Sequence, residues 1–414
     1  MRREKVPGTT QPTELAGPQH ELARLHALDI LRGLALAGMI LVHFHQRVRL
    51  PAAGYPEQII GSVVWMGVEQ KAWAVFAFLF GVGFAALLRR LESRGTAVVP
   101  FYLRRLAGLA AFGIAVEAAF GFDVLLGYAI WGVPLLLVRR WSTPMLLLTA
   151  ALAVSVRPLY YAGRSLYRWG VLGPDAPSSS GNAAGMALWE ARREAAAGDD
   201  FLTLLQARLD YMGWVHLEPT SFLPDSSFGL FIIGLLALRH GVFDEPRRHV
   251  RLIAAWMIGG FAAWATSWFL LARIPDLPVP GLTWTLRYGL GLVQDQWLAL
   301  TYIGAVVLLL AYRPVWTPRL SGIGLVGRMA LTNYVLQAAV IDYLSSGYGL
   351  GLKLRPYAYA SASVLLFGAL LAVSWGWLAR HRFGPLEWIW RTITYWRVQP
   401  LRRAMDQVPQ RAVP

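Results

Sequence analysis

RLHALDILRGLALAGMILVHFHQR, residues 24–47, is an apolar run long enough to cross a bilayer, interrupted by Asp29, Arg32 and His43. A helix turns about 100° per residue, so the eleven residues from Arg32 to His43 return the side chain to within about 20° of its starting direction. The rise over that interval is roughly 16 Å, about half a hydrocarbon core. Asp29 lies one turn before Arg32, about 60° around the axis. All three side chains therefore share one stripe along the membrane normal. Ionisable groups within a span face a bundle interior or a wet cavity, which makes these three the candidate catalytic residues. For Asp29 and Arg32 the plainer alternative is an interfacial ion pair that snorkels from the start of the span. A lone helical histidine is ordinarily a packing residue, and the common stripe is what raises His43 above that reading.

Working outward, the whole chain has the composition of a polytopic membrane protein. Of 414 residues, 56% are hydrophobic and 15% charged, with a mean hydropathy of +0.44. A soluble domain averages about 25% charged residues. The 18 tryptophans suit side chains that sit at headgroup level. Without cysteine the chain has no disulfide, thiolate metal site or cysteine nucleophile. A net charge of +15 fits positive cytoplasmic loops and anionic lipid better than nucleic acid, which is not expected as a partner. No cleavable signal peptide is expected, because the first 22 residues are polar and hold Pro7, Pro12 and Pro18.

The expected class is all-α with about ten transmembrane helices and both termini cytoplasmic. Residues 1–22 read as a disordered tail and 23–160 as a first bundle of about five spans. Residues 161–222 read as an extracytoplasmic loop, turn-rich at GPDAPSSSGN (173–182) and amphipathic at 187–212. Residues 223–380 form a second bundle of about five spans, and 381–414 a basic cytoplasmic tail. Between the first two spans, 51–70 reads as a loop with a short amphipathic or re-entrant stretch, and Gly81 and Gly83 are expected to permit close helix approach. The positive-inside rule supports this topology, since Arg89, Arg90, Arg94, Arg104 and Arg105 crowd one inner loop and Arg139 and Arg140 another.

LDILRGLALAGMILV (28–42), KAWAVFAFLFGVGFAALL (71–88), GRMALTNYVLQ (327–337) and HRFGPLEWIWRTITYW (381–396) together resemble the YeiB-like family of bacterial membrane proteins. AAAGDDFLTLLQARLDYM (195–212) is similar to that family's central loop, and the likeness runs from about Arg24 to Trp396. The family is grouped by distant similarity with transmembrane acyltransferases, whose first span carries an arginine followed eleven residues later by a histidine needed for transfer. Arg32 and His43 match that spacing. The chain departs from typical YeiB-like proteins, which have asparagine at the His43 position, and the departure moves it toward the acyltransferase pattern. The resemblance implies a cytoplasmic acyl-CoA-type donor, an envelope glycan or lipid acceptor, and a place in the bacterial cytoplasmic (inner) membrane.

Acyl transfer needs a base for the acceptor and cations or donors for the acyl donor. An unperturbed imidazole titrates at about 6.5, which suits histidine, here His43, to the role of general base; Arg32 suits a phosphate or carbonyl, and Asp29 is placed to orient Arg32. Lys71, Arg328, Asn333 and Gln337 are the candidate substrate-binding residues, with snorkelling or lipid contact the alternative for the two cations. His45 lies on another face of the first span. Glu117, Asp123, Asp225, Asp295 and Asp342 read as lying near span ends, and Glu387 as a cap or anchor of a surface helix. The eight histidines show no ligand spacing, so no metal and no permanently bound cofactor is expected, and acyl-CoA enters only as co-substrate. No Walker loop or G-x-S-x-G elbow occurs. Intramembrane charges and glycine-bearing helices would also serve a transporter of a small solute, although no inverted repeat is evident. A non-enzymatic membrane role is the third class, and nothing in the sequence specifies an oligomeric state. Reporter fusions after Arg90 and near Ser180 are expected to report opposite sides of the membrane; the same side for both would refute the topology.

Overall fold

A computed structural model describes residues 18–122, 124–173, 183–275, 277, 279 and 281–403, with side chains from Leu25 onward apart from Ala183. Asp123, most of 173–182 and the greater part of the 1–22 segment lie outside the described residues. The chain is all-helical. No strand occurs among the described residues, only isolated bridges pairing Arg49 with Leu354 and His381 with Arg402.

The first group of helices comprises α1 (Pro18–Val48), α2 (Tyr55–Val63), α3 (Lys71–Glu92), α4 (Val98–Phe120), α5 (Leu125–Val138) and α6 (Thr143–Leu172). Two further helices follow, α7 (Ala183–Ala197) and α8 (Phe201–Leu217). The second group runs through α9 (Ser226–Arg239), α10 (Val250–Leu271), α11 (Leu282–Tyr312), α12 (Trp316–Arg319) and α13 (Ser321–Arg328). It ends with α14 (Ala330–Ser345), α15 (Pro356–Arg380) and α16 (Pro385–Tyr395). Among the described residues eight helical segments are long and apolar enough to cross a membrane, which marks a multi-pass membrane protein. Leu125–Val138 is equally apolar but shorter.

Small residues set the closest helix crossings, as expected where lipid competes with side chains for apolar contact. A Cβ at Gly81 of α3 would overlap the Phe231 carbonyl of α9, and one at Gly234 of α9 would overlap the Phe78 carbonyl of α3. Gly83, by contrast, faces open space. The same device joins α1 to α13, where a Cβ at Gly33 would meet the Ile323 carbonyl and one at Gly327 the Asp29 carbonyl. That crossing brings the Asp29–Arg32 turn beside Arg328. Between α2 and α3 the chain widens into a π-helical stretch, Val64–Val68, and then turns through Gln70 in the left-handed region, φ 65°. Lys71, first residue of α3, is thereby aimed back so that Nζ reaches the Trp65 carbonyl at 3.4 Å.

One end of the bundle is tied by arginines. The α7–α8 hairpin covers it, with Gly347 N–H donating to the Ala196 carbonyl at 2.9 Å. Arg208 of α8 is fully buried; it donates to the Ala119 carbonyl at the end of α4 and pairs with buried Asp342 of α14 at 2.5 Å. Asp342 also accepts from Ser346 Oγ at 3.0 Å and Tyr348 OH at 2.8 Å, so both its oxygens are engaged. Removing one partner of a buried pair strands the other charge. Arg208→Met is therefore expected to destabilise the protein by about 3–5 kcal/mol, and the double variant Arg208→Met/Asp342→Leu to recover much of that loss. Thermal unfolding in detergent would check both, and a double variant no more stable than the single would count against the account.

Candidate functional site

Of the three residues in the α1 stripe, Arg32 lines a cavity of about 320 Å³. Its mouth gathers four arginines, Arg32 of α1, Arg105 of α4, Arg328 of α13 and Arg391 of α16, with one carboxylate, Glu387. Behind the mouth the walls are apolar and aromatic: Phe76, Phe80 and Phe84 of α3, Tyr128 of α5 and Leu79. The open face of Gly83 lies on this wall, so the missing Cβ becomes cavity space. The far wall holds Met39 and Tyr334. The cavity thus follows α1 from Arg32 to Met39, four residues short of His43.

Asp29 and Arg32 pair at 2.7 Å, with 17% and 30% of the respective side chains exposed. His43 is 7% exposed and lies behind the cavity's end wall rather than on it. Its ring packs on Phe122 at 4.1 Å between centroids and stands edge-on to Tyr334 at 6.4 Å. Nδ1 of His43 is buried with no hydrogen-bond partner among the described residues. His45, two residues on, is held instead by Tyr359 OH and Arg49, each at 2.9 Å.

Of the four candidate substrate-binding residues, Arg328 alone lines this cavity. Lys71 is buried away from it, paired with Asp295 at 2.6 Å. Asn333 directs its amide to the Val326 carbonyl at 3.1 Å and Ser374 Oγ at 2.8 Å, joining α14 to α13 and α15. Gln337 is completely buried, one turn beyond Tyr334, and neither amide atom has a partner among the described residues. Glu117 pairs with His216 at 3.3 Å, and Asp225 caps α9 through Ser227 N–H at 2.9 Å.

Arg105, Arg391 and Trp390 were not singled out by their sequence positions. The Arg105 guanidinium lies 3.8 Å over the Trp390 ring, while Trp390 Nε1 donates to the Arg105 carbonyl at 2.8 Å. This reciprocal grip docks α16 on α4. Glu387 anchors α16 in a further way: it caps α14, accepting from Leu331 N at 2.7 Å, Thr332 N at 3.1 Å and Thr332 Oγ1 at 2.6 Å. Burial pushes the Glu387 carboxyl above the usual range, and the bonds from Thr332 and Leu331 act in the opposite sense. The F-G-P-L-E-W sequence is the legible signal, since Pro385 opens α16 and places Glu387 in its first turn.

A second cavity, about 890 Å³, opens at the other end of α1 and is lined by His45, Arg47, Arg49 and parts of α7 and the α14–α15 connection. His43 lies between the two, four residues after Met39 and four before Arg47. Among the described residues no group of acidic, histidine or cysteine side chains has the arrangement of a metal site.

Glu387→Ala is expected to cost about 1–3 kcal/mol, because it leaves buried N–H groups of α14 unsatisfied. Thermal unfolding would check this; an unchanged melting temperature would mean that α14 does not depend on that carboxylate.

Residues 237–397 match the family described as protein of unknown function (DUF418), and residues 24–179 match the catalytic region of heparan-alpha-glucosaminide N-acetyltransferase. The chain is 28% identical to the uncharacterized protein YxaH of Bacillus subtilis, over 92% of this chain and 96% of that protein. It is 26% identical to the uncharacterized protein YeiB of Escherichia coli, over 89% of this chain and 95% of that one. No solved structure matches. Both matched regions build the first cavity: α1, α3, α4 and α5 come from the first, and Arg328, Tyr334, Glu387, Trp390 and Arg391 from the second. The chain is thus similar to YxaH and YeiB along about nine-tenths of its length, with a DUF418 match in its second half and a likeness to an acetyltransferase catalytic region in its first.

Proposed function

We propose that this protein is a membrane acyltransferase that moves an acyl group from a cytoplasmic acyl-CoA-type donor to an envelope glycan or lipid acceptor. The observation that carries the reading is the first cavity, cationic at its mouth, apolar along its length, and ending one helical turn short of His43. A donor with phosphates at one end and a thioester at the other fits that polarity. Arg32, Arg105, Arg328 and Arg391 would hold the phosphates, with Asp29 fixing the direction of Arg32. The aromatic walls would take the pantetheine arm, bringing the thioester to the Met39–Tyr334 end.

In the transfer step, the acceptor hydroxyl oxygen bonds to the thioester carbonyl carbon while His43 takes the hydroxyl proton. The carbon–sulfur bond then breaks, and the thiolate leaves with the proton returned by the imidazolium. Gln337, a buried amide without a partner among the described residues, lies one turn beyond Tyr334 behind the cavity's end wall and would serve the acyl carbonyl oxygen only when the thioester passes that wall. Lys71 and Asn333 act at a distance from the donor, by holding α3 to α11 and α14 to α15. The topology proposed is ten spans in the bacterial cytoplasmic membrane, Leu125–Val138 and Ala330–Ser345 completing the eight longer ones, with both termini cytoplasmic.

His43→Ala is expected to lower transfer by about 10²–10⁴-fold with insertion and folding preserved. Arg32→Ala is expected chiefly to raise the donor KM. An acyl-CoA transfer assay on purified protein decides the point; wild-type rates in His43→Ala would remove the base assignment. Two cavities separated by one thin layer also suit a transporter with alternating access. Solute flux into liposomes, with no acyl-CoA binding, would favour that second reading.

A further inference from the structure

The cavity at the far end of α1 has its own chemistry. Five cationic side chains line it, Arg47, Arg49, Arg192, Arg193 and Lys353, against one carboxylate, Glu69. Glu69 already accepts from Gln46 Nε2 at 2.9 Å. Arg193 pairs with Glu190 at 3.3 Å, while Arg47, Arg49 and Lys353 form no ion pair among the described residues. So many like charges around one hollow focus the field there and repel one another until an anion enters.

Arg47 is preset for that anion. Its Nη2 donates to the Gly121 carbonyl at 2.6 Å and the Phe120 carbonyl at 3.3 Å, and its guanidinium carbon lies 4.7 Å over the Phe122 ring. Its other nitrogens make no hydrogen bond among the described residues, and they stand in the fixed fork that suits a phosphate or carboxylate. The same Phe122 ring carries His43 at 4.1 Å. An anion on Arg47 is therefore held one helical turn, about 6 Å of rise, from the assigned base. Trp65 and Trp189, 60% and 48% exposed, add flat apolar faces beside the cations.

We propose that this cavity is the acceptor site and that it selects a hydroxyl-bearing anion, one with a phosphate or carboxylate near the hydroxyl to be acylated. The assignment rests on the acyl-transfer reading above. The bond made is the ester between acceptor oxygen and acyl carbon, the bond broken is the thioester carbon–sulfur bond, and the proton passes through His43 to the thiolate. The acceptor's own anion stays on Arg47 and Arg49 and takes no part in bonding changes.

The test uses the full chain in neutral phosphatidylcholine nanodiscs. Soluble anions, glycerol 3-phosphate and galacturonate, are compared with neutral glycerol and galactose, and phosphatidylglycerol nanodiscs form the lipid arm. Equilibrium binding of each labelled acceptor is measured without donor, and transfer is measured with acyl-CoA. The anionic acceptors are expected to bind about tenfold or more tighter than the neutral ones, with the preference falling as salt rises. The exposed-site double variant Arg49→Gln/Lys353→Gln is expected to reduce the preference about tenfold while eluting and melting like wild type. Preference confined to the lipid arm identifies a headgroup, and preference among the soluble acceptors a free or glycan-borne anion; either supports the site. Equal binding of neutral and anionic acceptors, or a preference untouched by the double variant, overturns it. Salt-sensitive anion binding lost in the variant, with no acyl transfer, would keep the anion site and remove the acyl-transfer reading instead.

Discussion

A helix that ends inside a bundle leaves its last carbonyls without N–H partners, and a membrane interior supplies no water to replace them. α4 meets this constraint at Ala119, Phe120 and Gly121, and guanidinium groups from three separate segments answer it: Arg47, Arg192 and Arg208. Cations at a helix C-terminus also oppose the negative end of its dipole. Gly121, φ 70°, turns the chain back at that point, and a Cβ there would meet the Arg47 and Arg208 side chains. Because Arg208 is in turn tied to Asp342, one helix terminus fixes α1, α7, α8 and α14 relative to one another. The position of His43 and the shape of the second cavity both follow from this junction.

At the opposite end the organising contact is backbone against backbone. Gly33 and Gly327 let α1 and α13 approach until Arg328 joins Arg32, and the Trp390–Arg105 and Glu387–Thr332 contacts bring α16 in as a floor. Neither matched region encloses the hollow alone. A likeness to an acetyltransferase catalytic region in the first half therefore acquires its basic mouth from the DUF418-matching half.

The apolar runs and the α1 stripe were legible because each depends on local periodicity, which a single helix obeys regardless of its neighbours. Gly81 behaves as its place in a span suggested, whereas Gly83, two residues on, faces the cavity instead of a helix. Arg105 looked like one more positive charge at a span end, since its neighbour Arg104 has the same sequence context yet points outward. Which of two adjacent arginines turns inward depends on Trp390, 285 residues away, and no local pattern encodes that. Asn333 and Gln337 lie four residues apart on α14, yet the Asn333 amide nitrogen is committed to Val326 and Ser374, whereas neither amide atom of Gln337 has a partner among the described residues. Their difference comes from packing partners, not from residue type.

The layer that separates the two cavities has an electrical consequence. From Met39 to Arg47 is eight residues, about 12 Å of helix, against roughly 30 Å for a hydrocarbon core. In the proposed topology, water entering both hollows would compress a transmembrane voltage into that short span and make the local field steeper than across an intact bilayer. A full charge carried through the layer exchanges about 2.3 kcal/mol per 100 mV. His43 sits within it, so a proton gained or lost there is an event that membrane potential can favour or oppose.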